Sequence, residues 1–206
     1  MRLRSSPGIW VALLLAAFLA GCGDKTPRLD KLGATDVVVA FGDSLTFGTG
    51  AKSGESYPAI LEQMIGRTVV RAGVPGEVTA GGLNRLPGVL DEHRPRLVIV
   101  CLGGNDMLRK GSPATIEANL REILKTIKAR GADAMLVGVP APGLITSAPK
   151  FYEKLAQEFG IPYEGKIVTS VLYKPELKSD PIHPNAAGYR KMAEAIAGLL
   201  RDAGAL

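Results

Sequence analysis

A serine hydroxyl is a weak nucleophile until a neighbouring base takes its proton, and this chain of 206 residues has only two histidines to act as that base. His93 lies in Asp91-Glu92-His93-Arg94-Pro95, a charged connection that reads as solvated surface. His183 lies in Asp180-Pro181-Ile182-His183-Pro184-Asn185, where two prolines stiffen the loop ahead of the last helix. Asp180, three residues before it on a proline-restricted turn, is placed to hold one ring nitrogen and leave the other facing outward. That arrangement fixes the tautomer and stabilises an imidazolium. The serine is found in Phe41-Gly42-Asp43-Ser44-Leu45-Thr46-Phe47-Gly48, directly after an apolar run. Gly-Asp-Ser-Leu alone makes an equally good turn or helix cap. A base with its own carboxylate elsewhere in the chain turns Ser44 into a candidate nucleophile for acyl transfer, with Asp180 and His183 completing a triad.

Acyl transfer also needs donors fixed in advance around the oxygen that becomes negative. The backbone amide of Ser44 is one. The amide of Gly76, in the turn Gly73-Val74-Pro75-Gly76, is a second, because glycine lets backbone approach a substrate closely. Asn105, in Gly103-Gly104-Asn105-Asp106, offers a side-chain amide as the third, although that run is also a good turn sequence.

These residues need elements to position them. Val37–Phe41 is a short apolar run and reads as a buried strand, with further strands at Thr68–Val70, Leu97–Leu102 and Ala134–Val139. Helical spacing appears from Ser56 (a candidate N-cap) to Ile65, Val78 to Leu90, Pro113 to Arg130, Pro149 to Phe159, and Asn185 to about Arg201. Apolar strands alternating with amphipathic helices predict an α/β domain with a central parallel sheet covered on both faces. Ligands in such sheets sit beyond the carboxyl ends of the strands. The polar clusters GDSLTFG, RAGVPG and GGND each follow a strand, so they are expected to converge there.

Other chemistries fit poorly. The run Gly48-Thr49-Gly50-Ala51-Lys52-Ser53 resembles a phosphate loop, but that loop needs glycine at positions 46 and 51, where Thr46 and Ala51 stand. The dinucleotide pattern fails at Ser53, and the α/β-hydrolase elbow fails at Thr46. No histidine, cysteine and carboxylate cluster has zinc spacing, so neither a metal nor a cofactor is implied. Aromatic residues are 5% and the formal charge of +5 is interspersed, which excludes a basic track for nucleic acid. Cys101 sits inside an apolar strand and reads as core.

The first residues follow a different logic. Arg2 and Arg4 precede an apolar stretch, Ile9 to Leu19, too short to span a bilayer comfortably. It ends in Leu19-Ala20-Gly21-Cys22, which resembles the lipobox of bacterial lipoproteins. The expected organisation is therefore a signal peptide over 1–21, a lipidated Cys22 with a polar tether over 22–34, and one catalytic domain over 35–206. This predicts a lipid-anchored protein on the periplasmic side of the cell envelope; cleavage elsewhere would leave it soluble in the periplasm or secreted. A monomer is expected.

Gly42-Asp43-Ser44-Leu45, Gly76, Gly104-Asn105-Asp106 and Asp180-x-x-His183 together resemble, in order, the four blocks of the SGNH (GDSL) hydrolases, across about residues 36–202. Within that family the chain is most similar to the compact periplasmic thioesterase/lysophospholipase and arylesterase group. The resemblance implies a flavodoxin-like three-layer α/β/α fold, a Ser44-Asp180-His183 triad and an oxyanion hole from Ser44, Gly76 and Asn105. It implies acyl esters as substrates, cleaved through an acyl-enzyme. Arg71 departs from the pattern, since many members have asparagine there. The apolar stretch Ala141-Pro142-Gly143-Leu144-Ile145 favours medium or long acyl chains. Acetyl groups on envelope polysaccharide are the alternative substrate, and a non-catalytic binding lipoprotein the alternative role.

Overall fold

The computed structural model describes residues 26–143 and 147–206. The expected signal peptide and Cys22, and Leu144 and Ile145 of the apolar stretch, lie outside the described residues.

The strands are β1 Val37–Gly42, β2 Thr68–Gly73, β3 Leu97–Cys101, β4 Asp133–Val137 and β5 Tyr163–Glu164. All pair in parallel, in the order β2-β1-β3-β4-β5. The helices are α1 Ser44–Phe47, α2 Tyr57–Ile65, α3 Thr79–His93, α4 Gly104–Leu108, α5 Pro113–Ala129, α6 Lys150–Phe159, α7 Ile167–Tyr173 and α8 Ala186–Asp202. α2 packs on α8, with α7 beside it, while α3, α5 and α6 pack together. This is the expected three-layer α/β/α arrangement. β1 and β3 are buried almost throughout, and their runs Val38–Phe41 and Leu97–Cys101 form the centre of the core. A continuous apolar strand is what a sheet covered on both faces requires.

Strand order reverses at β1, since the chain leaves it first to β2 on one side and later reaches β3 on the other. The loops beyond the carboxyl ends of these strands splay apart and open a crevice. The GDSL, Gly76 and GGND clusters all fall on its rim.

Several details differ from expectation. Ser56 occupies the cap position of α2, yet its Oγ donates to the Ser53 carbonyl at 3.1 Å and caps nothing. The elements α1, α4, β5 and α7 are too short to show a period, and tertiary contacts hold them instead. The segment expected as a tether is docked from Leu29 onward. Leu32 is buried, the Leu29 and Leu32 amides donate to the Ala203 and Ala205 carbonyls at 3.0 and 2.9 Å, and Asp30 pairs with Arg96. Two leucines in an otherwise polar stretch are enough to draw it onto the domain.

Candidate active site

β1 ends in Gly42, where a side chain would collide with the Cys101 carbonyl and the Thr46 hydroxyl. Gly73 at the end of β2 is equally crowded by the backbone of α1. The two glycines let α1 sit directly on the strand ends, with Ser44 as its first residue. Behind it, Thr46 Oγ1 and Tyr57 Oη share a buried hydrogen bond of 3.0 Å.

The histidine comes from the other end of the chain. The 179–184 loop is closed by the Ser179 amide donating to the His183 carbonyl at 2.9 Å, and Asn185 caps α8 by accepting from the Gly188 amide at 3.0 Å. Tyr189 on α8 donates its hydroxyl to the Thr49 carbonyl at 2.7 Å, which ties this loop to the segment after α1. His183 Nε2 then lies 3.0 Å from Ser44 Oγ, and His183 Nδ1 lies 2.7 Å from Asp180 Oδ2. Asp180 Oδ1 accepts the Ile182 and His183 amides, both at 2.9 Å. Desolvation alone would raise the Asp180 carboxyl. The bonds from the His183 ring and the two amides outweigh it and hold the group below its ordinary value. Ionised Asp180 accepts a hydrogen from Nδ1, so Nε2 turns its lone pair to Ser44. A hydroxyl, an imidazole and a carboxylate in this sequence can move a proton off the hydroxyl.

Asn105 stands in the first turn of α4, and its Nδ2 donates to Asp43 Oδ2 at 3.1 Å. Asp43 Oδ1 accepts the Leu45 amide at 3.0 Å. Burial pushes the Asp43 carboxyl up to about 6, against the opposing pull of those two bonds. The next residue, Asp106, accepts the Thr79 amide at 2.9 Å and the Thr79 hydroxyl at 2.6 Å, so the GGND loop caps the N-terminus of α3.

Ser44, Asn105 and His183 line one cleft of about 50 Å³, with walls of Leu45, Leu108, Val139, Pro140, Leu172 and Ile182. Gly76 does not line it. Gly76 sits on the adjoining turn, in the left-handed region at φ 78°, where the Glu77 amide donates to the Val74 carbonyl at 3.1 Å. Proline followed by a left-handed glycine is the signature of a type II turn. Arg109, the residue closing α4, donates to the Gly76 carbonyl at 3.0 Å. Arg71, the departure from the family pattern, donates to the Phe47 carbonyl at 3.1 Å and lies 5.0 Å from that ring's centre, so it braces α1.

The structure therefore gathers Ser44, Asp180, His183 and Asn105, and keeps Gly76 on a neighbouring turn. His93 lies at the end of α3, away from these residues. Sequence reasoning missed Asp43 and Asp106, whose signal was their place inside the GDSL and GND blocks. Of the apolar stretch 141–145, Pro142 does line the cleft; the other apolar walls come from five separate segments that share no motif, and sequence reasoning missed them.

The model of the GDSL-like lipase/acylhydrolase family matches residues 40–191. The chain is 36% identical over 163 residues to "Thioesterase 1/protease 1/lysophospholipase L1" of Escherichia coli, covering 75% of this chain and 78% of that protein. It is 32% identical to an arylesterase of Vibrio mimicus, covering 80% and 88%. Among solved structures it resembles TesA, with TM-score 0.72, 27% identity and coverage of 82% of this chain and 99% of that one. It also resembles AlinE4, an SGNH-hydrolase family esterase, with TM-score 0.62, 35% identity and coverage of 84% and 98%. With motif order, sheet topology and family match in agreement, this chain belongs to the GDSL-like lipase/acylhydrolase family and is an ester hydrolase.

Proposed function

We propose that the chain hydrolyses carboxylic acyl esters through a covalent acyl-enzyme on Ser44. His183 takes the Ser44 proton as the hydroxyl attacks the carbonyl, and Asp180 stabilises the imidazolium that forms. The oxyanion rests on the amides of Ser44 and Gly76 and the side-chain amide of Asn105. His183 then protonates the leaving alcohol and activates the water that releases the acid. The observation that carries this reading is the unbroken path from Asp180 Oδ2 through His183 to Ser44 Oγ, at 2.7 and 3.0 Å.

The apolar walls supplied by Leu108, Val139, Leu172 and Ile182 favour a medium or long acyl chain over an acetyl group on a sugar. The similarity to a thioesterase/lysophospholipase and an arylesterase supports oxygen esters and thioesters of such acids as the substrate class. The sequence Leu19-Ala20-Gly21-Cys22 supports acylation at Cys22 and retention at the membrane on the periplasmic side. Among the described residues, no helix is long and apolar enough to cross a membrane.

A fluorophosphonate probe tests the nucleophile. It labels the wild-type protein on Ser44, and Ser44→Ala loses both labelling and hydrolysis of p-nitrophenyl esters. An Ala variant that is still labelled at the same rate would remove Ser44 from the mechanism.

A further inference from the structure

We infer that the ion pair between Arg85 and Glu77, which touches none of the reacting residues, positions the Gly76 amide for the oxyanion. The inference rests on the acyl-enzyme reading above and adds two positioning residues to it.

The Val74–Glu77 turn folds locally, because Pro75 and Gly76 suit it. Nothing local, however, decides where the turn stands relative to Ser44. Three attachments do. The Val74 amide donates to the Gly42 carbonyl at 3.0 Å, Arg109 donates to the Gly76 carbonyl at 3.0 Å, and Glu77 is held by Arg85. The Arg109 bond is exposed, and water competes for it. The Glu77–Arg85 fork is shielded. Arg85 Nε and Nη2 donate to the two Glu77 oxygens, both at 2.7 Å, and the Glu77 side chain is only 8% exposed.

The same Nη2 also donates to the Gly42 carbonyl at 3.1 Å and the Ala72 carbonyl at 2.9 Å. The guanidinium carbon lies 4.1 Å from the centre of the Phe41 ring. One side chain on α3 therefore joins the residue before the nucleophile's cap, the end of β2 and the residue after Gly76. Gly81 and Gly82 leave room for this, since a side-chain carbon at Gly81 would stand 3.3 Å from Glu77 Cγ and one at Gly82 3.3 Å from the Phe41 ring beneath Arg85. A shielded ion pair is a poor source of stability, because desolvation offsets much of its attraction, and fixing geometry is its better-attested use. A planar, bidentate fork suits that role as a lysine would not.

Arg85→Lys keeps the charge and loses the fork, and Glu77→Gln keeps the size and loses the charge. In each, kcat on a p-nitrophenyl ester falls about tenfold while KM stays within about twofold, as for a transition-state interaction. Affinity for an alkyl boronic acid, whose tetrahedral adduct on Ser44 places an oxyanion in the hole, falls by the same factor. Arg121→Lys, which breaks a comparable fork to Glu117 and Glu158 on the surface, leaves both unchanged. A merely structural pair would lower Tm while kcat and boronate affinity stay near wild type, and that result overturns the inference. Should Arg85→Lys fail to fold, Glu77→Gln carries the same comparison. A wild-type protein that neither hydrolyses esters nor binds the boronate would sink the acyl-enzyme reading itself.

Discussion

Asp43 accepts the side-chain amide of Asn105 at 3.1 Å from within the core, where only 2% of the aspartate is exposed. The pair joins the end of β1 to the start of α4, and Asn105 also lines the cleft.

The cost of that burial shows in pH dependence. The Asp43 carboxyl rises from 3.8 in the unfolded chain to about 6 in the folded protein, so the native state holds this proton more tightly. Its contribution to stability is full below about pH 4 and is lost as pH rises through 6. Relative to Asp43→Asn, the wild-type protein therefore gains roughly 2–3 kcal/mol between pH 8 and pH 4. Urea unfolding of both proteins at the two pH values measures it, and a gap that does not change with pH rejects the assignment.

Asn105→Ala removes the side-chain amide proposed as an oxyanion donor and leaves Ser44 in place. We expect kcat to fall by about 10²–10³ with a much smaller change in KM. Steady-state kinetics within twofold of wild type would reduce Asn105 to a turn residue.

Asp106→Ala addresses stability rather than chemistry. It leaves the buried Thr79 amide without its partner, and the Thr79 hydroxyl, which also accepts from Asn119 at 2.9 Å, without its acceptor. A loss of about 2–3 kcal/mol is expected, as for a helix cap combined with an unsatisfied buried donor. Chemical denaturation that shows less than half of this would mean the first turn of α3 is held by other contacts.

For Cys22, mass spectrometry of the mature N-terminus is expected to find an acylated cysteine, and Cys22→Ser to move the protein out of the detergent phase. The docked segment adds a geometric consequence. Asp30 meets Arg96, just before β3, and its amide donates to Asp133, the first residue of β4, at 3.2 Å. Those are the amino ends of the strands, opposite the cleft. The stretch from Cys22 to Leu29 reaches roughly 25 Å at full extension, little more than half the diameter of a domain this size. An anchored enzyme therefore presents its cleft away from its own bilayer. Esters in the anchoring vesicle are then cleaved no faster than by the Cys22→Ser protein, and a marked acceleration would contradict this orientation.

Much of the site was legible in the sequence because each piece of the chemistry is local. Asp180 and His183 share one proline-braced loop, Ser44 and Asn105 each follow an apolar strand, and those continuous runs already implied a parallel sheet whose carboxyl ends hold the site. The elements with a period were legible too, such as α5 over Pro113–Ala129 and α8 over Ala186–Asp202. Tertiary structure decided what depends on distance between segments. It closed 139 residues of chain into a 3.0 Å contact between Ser44 and His183, through strand register and the bond from Tyr189 to Thr49. It formed α1 and α4, four- and five-residue helices that have no stability of their own and exist because strand ends and caps hold them. Sequence marks hydrophobic period and local turns, but a hydrogen bond such as Asp43 to Asn105 or Arg85 to Gly42 acts over about 3 Å and exists only once the sheet has set its register.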